Sequence, residues 1–441
     1  MRIGVGTGFA GDRIEPAEIL LEKGNLDYLV LECLAERTIA LAQKRKLANN
    51  NLGYDPLLEK RMRSLLPKLA NKKTRIISNM GAANPIAGAE KIISIAQELN
   101  INVKVAIVTG DDVLSKLTDN YDIWESGKKL GDYEEILSAN AYIGAKALLD
   151  ALKSDAQIII TGRVADPSLF VAPMIHEFGW SLDELDKIAQ GTVVGHLLEC
   201  AGQLTGGYFA DPGIKDIEGM ATLGFPFADI DSDGTAIFSK VEGTGGELSL
   251  ATMKEQLLYE VLNPHAYYTP DIIADFSKVK FEYLKKDHIK VSGVSAVGKP
   301  ETLKVSIGYN AGLIGEGEIT YAGPNAVPRA KLAGEIIRTR IGHLYSDFRV
   351  DLIGLNSAHR KEFRDTDPYE IRLRIAGKTN NPNYASLVGE EVEALYTNGP
   401  AGGGGARKNV VELVGIVSTF IDEQEVVLNT LFKECNSNET V

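Results

Sequence analysis

Five short apolar runs, several of them ending in glycine- or asparagine-bearing turns and alternating with helical patterns, constrain this chain more than any other feature. The runs are Arg2 to Gly8, Leu26 to Cys33, Thr74 to Ser78, Val103 to Thr109 and Gln157 to Thr161. Helical spacing follows at Pro16 to Lys23, Ala35 to Leu47, Pro85 to Leu99 and Ala141 to Leu152, and Asp166-Pro167 opens another helix. Strands that are apolar on both faces and joined through helices form a parallel sheet covered on each side. The expected fold is α/β, an open Rossmann-like parallel sheet with flanking helices. A closed barrel is the alternative, since periodicity does not separate the two. A chain of 441 residues has room for two domains or three.

Ligands of parallel α/β folds sit beyond the carboxyl ends of the strands. The candidate site therefore comprises Gly6, Gly8, Asp12 and Arg13 after the first run, and Glu32 and Glu36 after the second. Asn79, Gly81 and Asn84 follow the third, Asp111 and Asp112 the fourth, and Gly162, Arg163 and Asp166 the fifth. Each has a plainer reading. Asn84 and Asp166 are suited to capping helices, and Glu36 with Arg37 to a solvated helix face. Gly6-Thr7-Gly8-Phe9-Ala10-Gly11 fits a dinucleotide fingerprint. A lone match carries little weight, and no acidic strand end lies in the usual register, although Glu32 is close. Arg163 is the principal candidate, because an arginine just before a helix N-terminus can grip a carboxylate or phosphate bidentately.

Leu182 to Gln203 reads as one long helix. It places His196 and Glu199 three residues apart on one face, as a proton-shuttling pair or as a buried histidine with its partner. No HExxH pattern is present, and a magnesium ion held by Asp111 or Asp112 with substrate oxygens is the metal option. In Glu242-Gly243-Thr244-Gly245-Gly246, just before a helix at Ser249 to Leu262, Thr244 and Gly245 are positioned to bind an anion. Alternating segments make 275–325 a β-rich insertion in a first domain of residues 1–345. Residues 346–433, in β-β-α-β order, suggest a ferredoxin-like α+β domain, and 434–441 a disordered tail. The loop at Thr397 to Lys408, with four consecutive glycines, joins the helix of that domain to its third strand. Gly403, Gly404 and Arg407 are its anion-binding candidates, beside Lys408.

The net charge of −13 argues against general nucleic-acid binding, which needs a basic face, but leaves room for a small anionic substrate in a local basic pocket. Cys33, Cys200 and Cys435 are widely spaced and form no CxxC pair, which fits a reducing cytoplasm. Met1-Arg2-Ile3-Gly4-Val5-Gly6 begins directly with a strand pattern, so no signal peptide is expected. No apolar run is long enough to span a membrane. Size alone favours a homo-oligomer.

Several long motifs carry a resemblance. Gly6-Thr7-Gly8-Phe9-Ala10-Gly11-Asp12-Arg13, Leu26 to Val30, Ser78 to Pro85, Thr161 to Asp166, Gly195 to Gln203 and the block from Tyr396 to Lys408 resemble the acyclic terpene utilisation (AtuA) family over nearly the whole chain. The resemblance implies an N-terminal α/β region and a C-terminal AtuA-like ferredoxin-fold domain. It also implies a link to bacterial breakdown of citronellol and geraniol through branched acyl-CoA esters. It supplies no catalytic residue. Two functions are carried forward. The first is a lyase or hydratase acting on a branched hydroxy acid or its CoA thioester. Its acid–base candidates are Glu32, Asp111, Asp112, His196 and Glu199, and Arg163 and the glycine turns hold the substrate. The second is a non-catalytic binding or assembly subunit that partners an acyl-CoA carboxylase or lyase.

Overall fold

The computed structural model describes residues 1–361 and 368–435. The chain divides into two compact units, one formed by Met1–Gly308 with the segment beginning at Ile416, the other by Tyr309–Gly415.

The first unit opens with β1 (Arg2–Thr7), α1 (Glu15–Lys23), β2 (Tyr28–Leu31), α2 (Glu36–Ala48), α3 (Leu58–Leu69), β3 (Arg75–Ser78), α4 (Pro85–Glu98) and β4 (Val103–Thr109). It continues through β5 (Ile136–Ala141), α5 (Leu149–Lys153), β6 (Ile158–Thr161), α6 (Ser168–Phe178) and α7 (Leu185–Glu199). Strands β1, β2, β3, β6 and β4 lie side by side in that order and pair in parallel. Ile3, Val5, Leu29, Val30, Ile76, Ile77 and Ile158 to Ile160 are fully buried, as two-sided coverage of a parallel sheet requires.

The sheet is open and mixed rather than closed or all-parallel. Past β1 it is extended by β7 (Pro226–Ile230) and β8 (Ala236–Lys240), which pair antiparallel. After α8 (Leu250–Leu258) come β9 (Tyr267–Tyr268), β10 (Ile273–Asp275), β11 (Lys280–Lys285), β12 (His288–Ser292) and β13 (Ser295–Gly298). Strands β12 and β11 complete that side of the sheet, whereas β9, β10 and β13 form a small sheet of their own. The stretch expected to be helical from Ala141 is instead the end of β5, followed by a 3-10 turn at Ala145–Leu148 and then α5. The Asp271 carboxylate accepts the Ala145 N–H at 2.8 Å and fixes where the turn begins.

The second unit takes over within β14 (Thr302–Ala322) and continues through α9 (Ala326–Ile341), β15 (Asp347–Ile353), β16 (Glu370–Thr379), α10 (Pro382–Asn398) and the start of β17 (Gly404–Asp422). Its strands lie in the order β15-β16-β14-β17. Ala330, Ala333 and Ile337 of α9 and Val388 and Val392 of α10 pack with Ile319, Leu373 and Ile375 of the strands as its core. A strand half and a helix thus precede the β-β-α-β order read from residue 346, and the unit closes at Gly415 rather than 433.

The chain then returns to the first unit. β18 (Asn429–Cys435) pairs antiparallel with β4 along the edge of the large sheet. Glu434 and Cys435 are therefore strand residues and not part of a disordered tail; 436–441 lie outside the described residues. Among the described residues no helix is long and apolar enough to cross a membrane.

Candidate functional site

A cavity of about 760 Å3 lies at the carboxyl ends of β1, β2 and β6. The turn after β1 contributes Gly8, Asp12 and Arg13; β2 leads to Glu32 and, at the start of α2, Glu36. The turn after β6 supplies Arg163 and Asp166, the end of α7 supplies Glu199 and Cys200, and Tyr142 follows β5. Gly8 is what lets these segments meet. A Cβ there would sit 2.4 Å from the Glu199 carbonyl oxygen and 2.6 Å from Cys200 Cα, so only glycine allows β1 to end against the C-terminus of α7.

Arg163 is the buried cation of this cavity, 1% exposed, whereas Arg13 is exposed and donates to the Ala221 carbonyl at 3.0 Å. Its backbone N–H donates to Asp111 Oδ2 at 2.9 Å, and Asn140 Nδ2 donates to the same oxygen at 2.9 Å. Gly162 makes room for that carboxylate, since a Cβ there would lie 2.4 Å from Asp111 Oδ1. The Arg163 side chain donates to the Leu34 carbonyl and, at 2.5 Å, to Asp166 Oδ1. Its guanidinium lies 4.1 Å from the Tyr142 ring centroid. The arginine expected to grip a substrate anion is thus largely committed to the protein. Asp166, expected as a helix cap, turns its carboxylate to Arg163.

Four carboxylates surround this cation, and their environments differ. Burial pushes Asp166 up to about 7; the adjacent Arg163 opposes that, while Glu199 and Glu36 reinforce it. Burial also raises Glu32 well above the carboxylate range, helped by the Asp166 charge. Asn79 Nδ2 and the Leu34 N–H donate to Glu32 Oε1 at 2.9 and 2.8 Å and fix its orientation. Burial would raise Glu36 too, but the Tyr142 hydroxyl that donates to it and the charges of Arg163 and Lys304 hold it at about 2.

Glu199 is raised, chiefly by burial, with its contact to His196 opposing the shift. Nε2 of His196 faces two acceptors, the carbonyls of Gln256 and Leu257 at 3.1 and 3.2 Å, and so must carry hydrogen. Nδ1 lies 2.8 Å from Glu199 Oε1. With one proton already on Nε2, that contact requires a second one, on either the imidazole or the carboxyl. Glu199 Oε2, Gln203 Oε1 and Arg163 Nε are buried at the cavity with no partner among the described residues. They are polar positions for a ligand to satisfy.

The cavity thus gathers Gly8, Asp12, Arg13, Glu32, Glu36, Arg163, Asp166 and Glu199 from the sequence candidates. Asn79, Asp111 and His196 stand behind it as supports. Gly6 packs against Leu31 and Ala17, and Asn84 caps α4 by accepting the Ala87 N–H at 3.3 Å. Asp112 is exposed and accepts the Leu114 N–H at 3.3 Å. Thr244 and Gly245 border a different cleft, and their amides donate to the carbonyls of Val241 and Thr222, at 3.3 and 2.8 Å. The start of α8 is capped by Ser249, so neither feature offers free donors to an anion. In the second unit Gly403 lies in the turn between α10 and β17 and Gly404 and Arg407 in the first residues of β17; Gly402 in that turn and Gly405 in the strand take φ of +74° and +66°. Tyr142 is a cavity residue that the sequence reading did not single out, and Glu36 and Asp166, named at the strand ends but also suited to a solvated helix face and a helix cap, prove to line the cavity. Among the described residues, no group of three or more His, Cys, Asp or Glu side chains is arranged to hold a metal ion. Asp111, the first magnesium candidate, is spent on the two donors above.

Against known proteins, the family model described as "Acyclic terpene utilisation family protein AtuA" matches residues 1–431. No curated protein and no solved structure matches the chain.

Proposed function

For this chain, which belongs to the acyclic terpene utilisation AtuA family, we propose an acid–base lyase or hydratase acting on a hydroxyacyl group presented as a thioester. One observation carries the reading. A single cavity holds carboxylates driven apart in proton affinity, with Glu36 at about 2, Asp166 at about 7 and Glu199 raised beside His196. Such separation assigns acid and base at one pH. Asp166, near neutrality, takes the proton from the carbon beside the carbonyl. Glu199 delivers the proton it shares with His196 to the departing hydroxyl, which leaves as water; hydration is the same sequence reversed. Glu36 stays ionised and anchors Tyr142, and Arg163 positions Asp166.

The same charges favour an ester over a free acid. Arg163 is already held by Asp166 and the Leu34 carbonyl and the ionised Glu36 lies beside it, while the cavity's other arginine, Arg13, is exposed and donates to the Ala221 carbonyl at 3.0 Å, so a free carboxylate gains little there, whereas a thioester carbonyl and a hydroxyl are neutral and can satisfy the unpartnered polar atoms. The strand order β15-β16-β14-β17 with α9 and α10 on one face supports a ferredoxin-like reading of the second unit. The five parallel strands support a Rossmann-like reading of the first.

The test is a melting-temperature screen of hydroxy acids and their CoA thioesters, followed by turnover of any thioester that binds. A thioester should raise the melting temperature more than its free acid. Glu199→Gln should keep the melting temperature within a few degrees and lower kcat by about 10²- to 10⁴-fold. Absence of any shift or turnover across the panel would overturn the enzyme reading in favour of an assembly subunit.

A further inference from the structure

A second cavity, of about 770 Å3, shares Glu36, Tyr142 and Asp166 with the first. Beyond that common wall its character changes. Ile273, Leu303 and Pro270 line it, with Tyr267, Trp124 and Phe420. Trp124 and Phe420 meet edge to face, with centroids 6.1 Å apart. Both are exposed, Trp124 at 68% and Phe420 at 43%, an unusual state for large apolar side chains that face a cavity. Tyr267 packs on the His196 ring at 5.0 Å, so the aromatic wall abuts the histidine of the proton-sharing pair.

We infer that this aromatic cavity is the subsite for an uncharged aliphatic chain, which it holds so that the chain's oxygenated end reaches Asp166 across the common wall. The inference rests on the acid–base reading of the first cavity and extends it to what the reacting group is attached to. Apolar walls reward such a chain by removing its surface from water. Aromatic walls could equally stack a nucleotide base, but the cations beside them are committed. Lys299 pairs with Asp183 at 3.0 Å and Lys304 with Glu36 at 3.3 Å. The floor, moreover, is carboxylate, which disfavours phosphate.

The protein carries its own probe. It has two tryptophans, Trp124 and Trp180, and Trp180 is only 5% exposed. Titration of the full chain with methyl esters of four-, eight- and ten-carbon straight-chain acids should shift Trp124 emission to the blue and saturate. Affinity should rise about three- to fourfold per added methylene. Trp124→Phe should abolish the signal, and Phe420→Ser, at an exposed position, should weaken binding several-fold with the melting temperature kept. Affinity independent of chain length, no response, or a response to adenosine 3′,5′-bisphosphate in place of the esters would overturn the inference. The two readings separate cleanly. Ester binding without thioester turnover sinks only the acid–base assignment, and turnover of short thioesters without chain-length dependence sinks only the subsite.

Discussion

Asp111 shows how much of this site is built from residues that never reach the cavity. Its carboxylate is buried and accepts from the Arg163 N–H and from Asn140, and burial raises it to about 6. A carboxyl raised on folding binds more protons in the native state than in the unfolded one between its two pKa values. Its contribution is therefore fully present below the unfolded value of 3.8 and lost as pH rises through 6. The shift of roughly two units corresponds to at most about 3 kcal/mol. Asp111→Asn removes this titration but keeps one acceptor oxygen. Relative to the unaltered protein, the variant should gain stability as pH rises from about 4 to about 6 and level off by pH 7.5 in urea unfolding. A difference that is flat with pH would show that Asp111 does not titrate in that window. Strand-end position was enough to single out Glu32, Asp111 and Arg163 in the sequence. It could not rank them, because side-chain direction depends on neighbours far away in sequence: Leu34 and Asp166 claim the guanidinium, and Asn79 claims Glu32.

At the scale of elements, the strands of the parallel core were legible because they are buried on both faces and so read as unbroken apolar runs. α3 was not, although Leu58, Met62, Leu65 and Leu69 form its buried stripe, because Pro67 in its last turn reads as a breaker. α7 was read too long. It stops at Glu199, and Ala201 takes a φ of +45° in the 3-10 turn at Ala201–Gln203, which turns Glu199 and Gln203 to the cavity. No local signal marks that stop; it is set where α7 meets the β1 turn at Gly8. Gly8→Ala should therefore cost about 1–3 kcal/mol by overpacking, since backbone atoms of Glu199 and Cys200 cannot swing aside. Gly298→Ala, where a Cβ meets nothing within 4 Å, is the control expected near neutral. Equal midpoints in urea for both variants would mean that the β1–α7 contact is not tightly packed.

At the scale of the molecule, domain boundaries were the least legible feature, because a contact between sequence-distant strands decides them. The first unit is discontinuous, and its last strand comes from the chain's far end. The polar composition after Phe432 suggested disorder, yet Lys433 pairs with Glu90 at 2.5 Å and Lys104 lies 5.6 Å over the Phe432 ring. An edge strand needs only one buried face and tolerates charges, so hydropathy alone misjudges it. β18 covers β4, whose Val103, Val105 and Ile107 are buried. Its loss would leave an apolar strand with open hydrogen-bonding groups at the sheet edge, a template for pairing between molecules. Truncation after Leu428 should therefore lower the melting temperature and produce concentration-dependent aggregates in light scattering, whereas truncation after Cys435 should do neither. If the shorter chain stays monodisperse with an unchanged melting temperature, β18 contributes nothing to the sheet, and the first unit is complete without the chain's return.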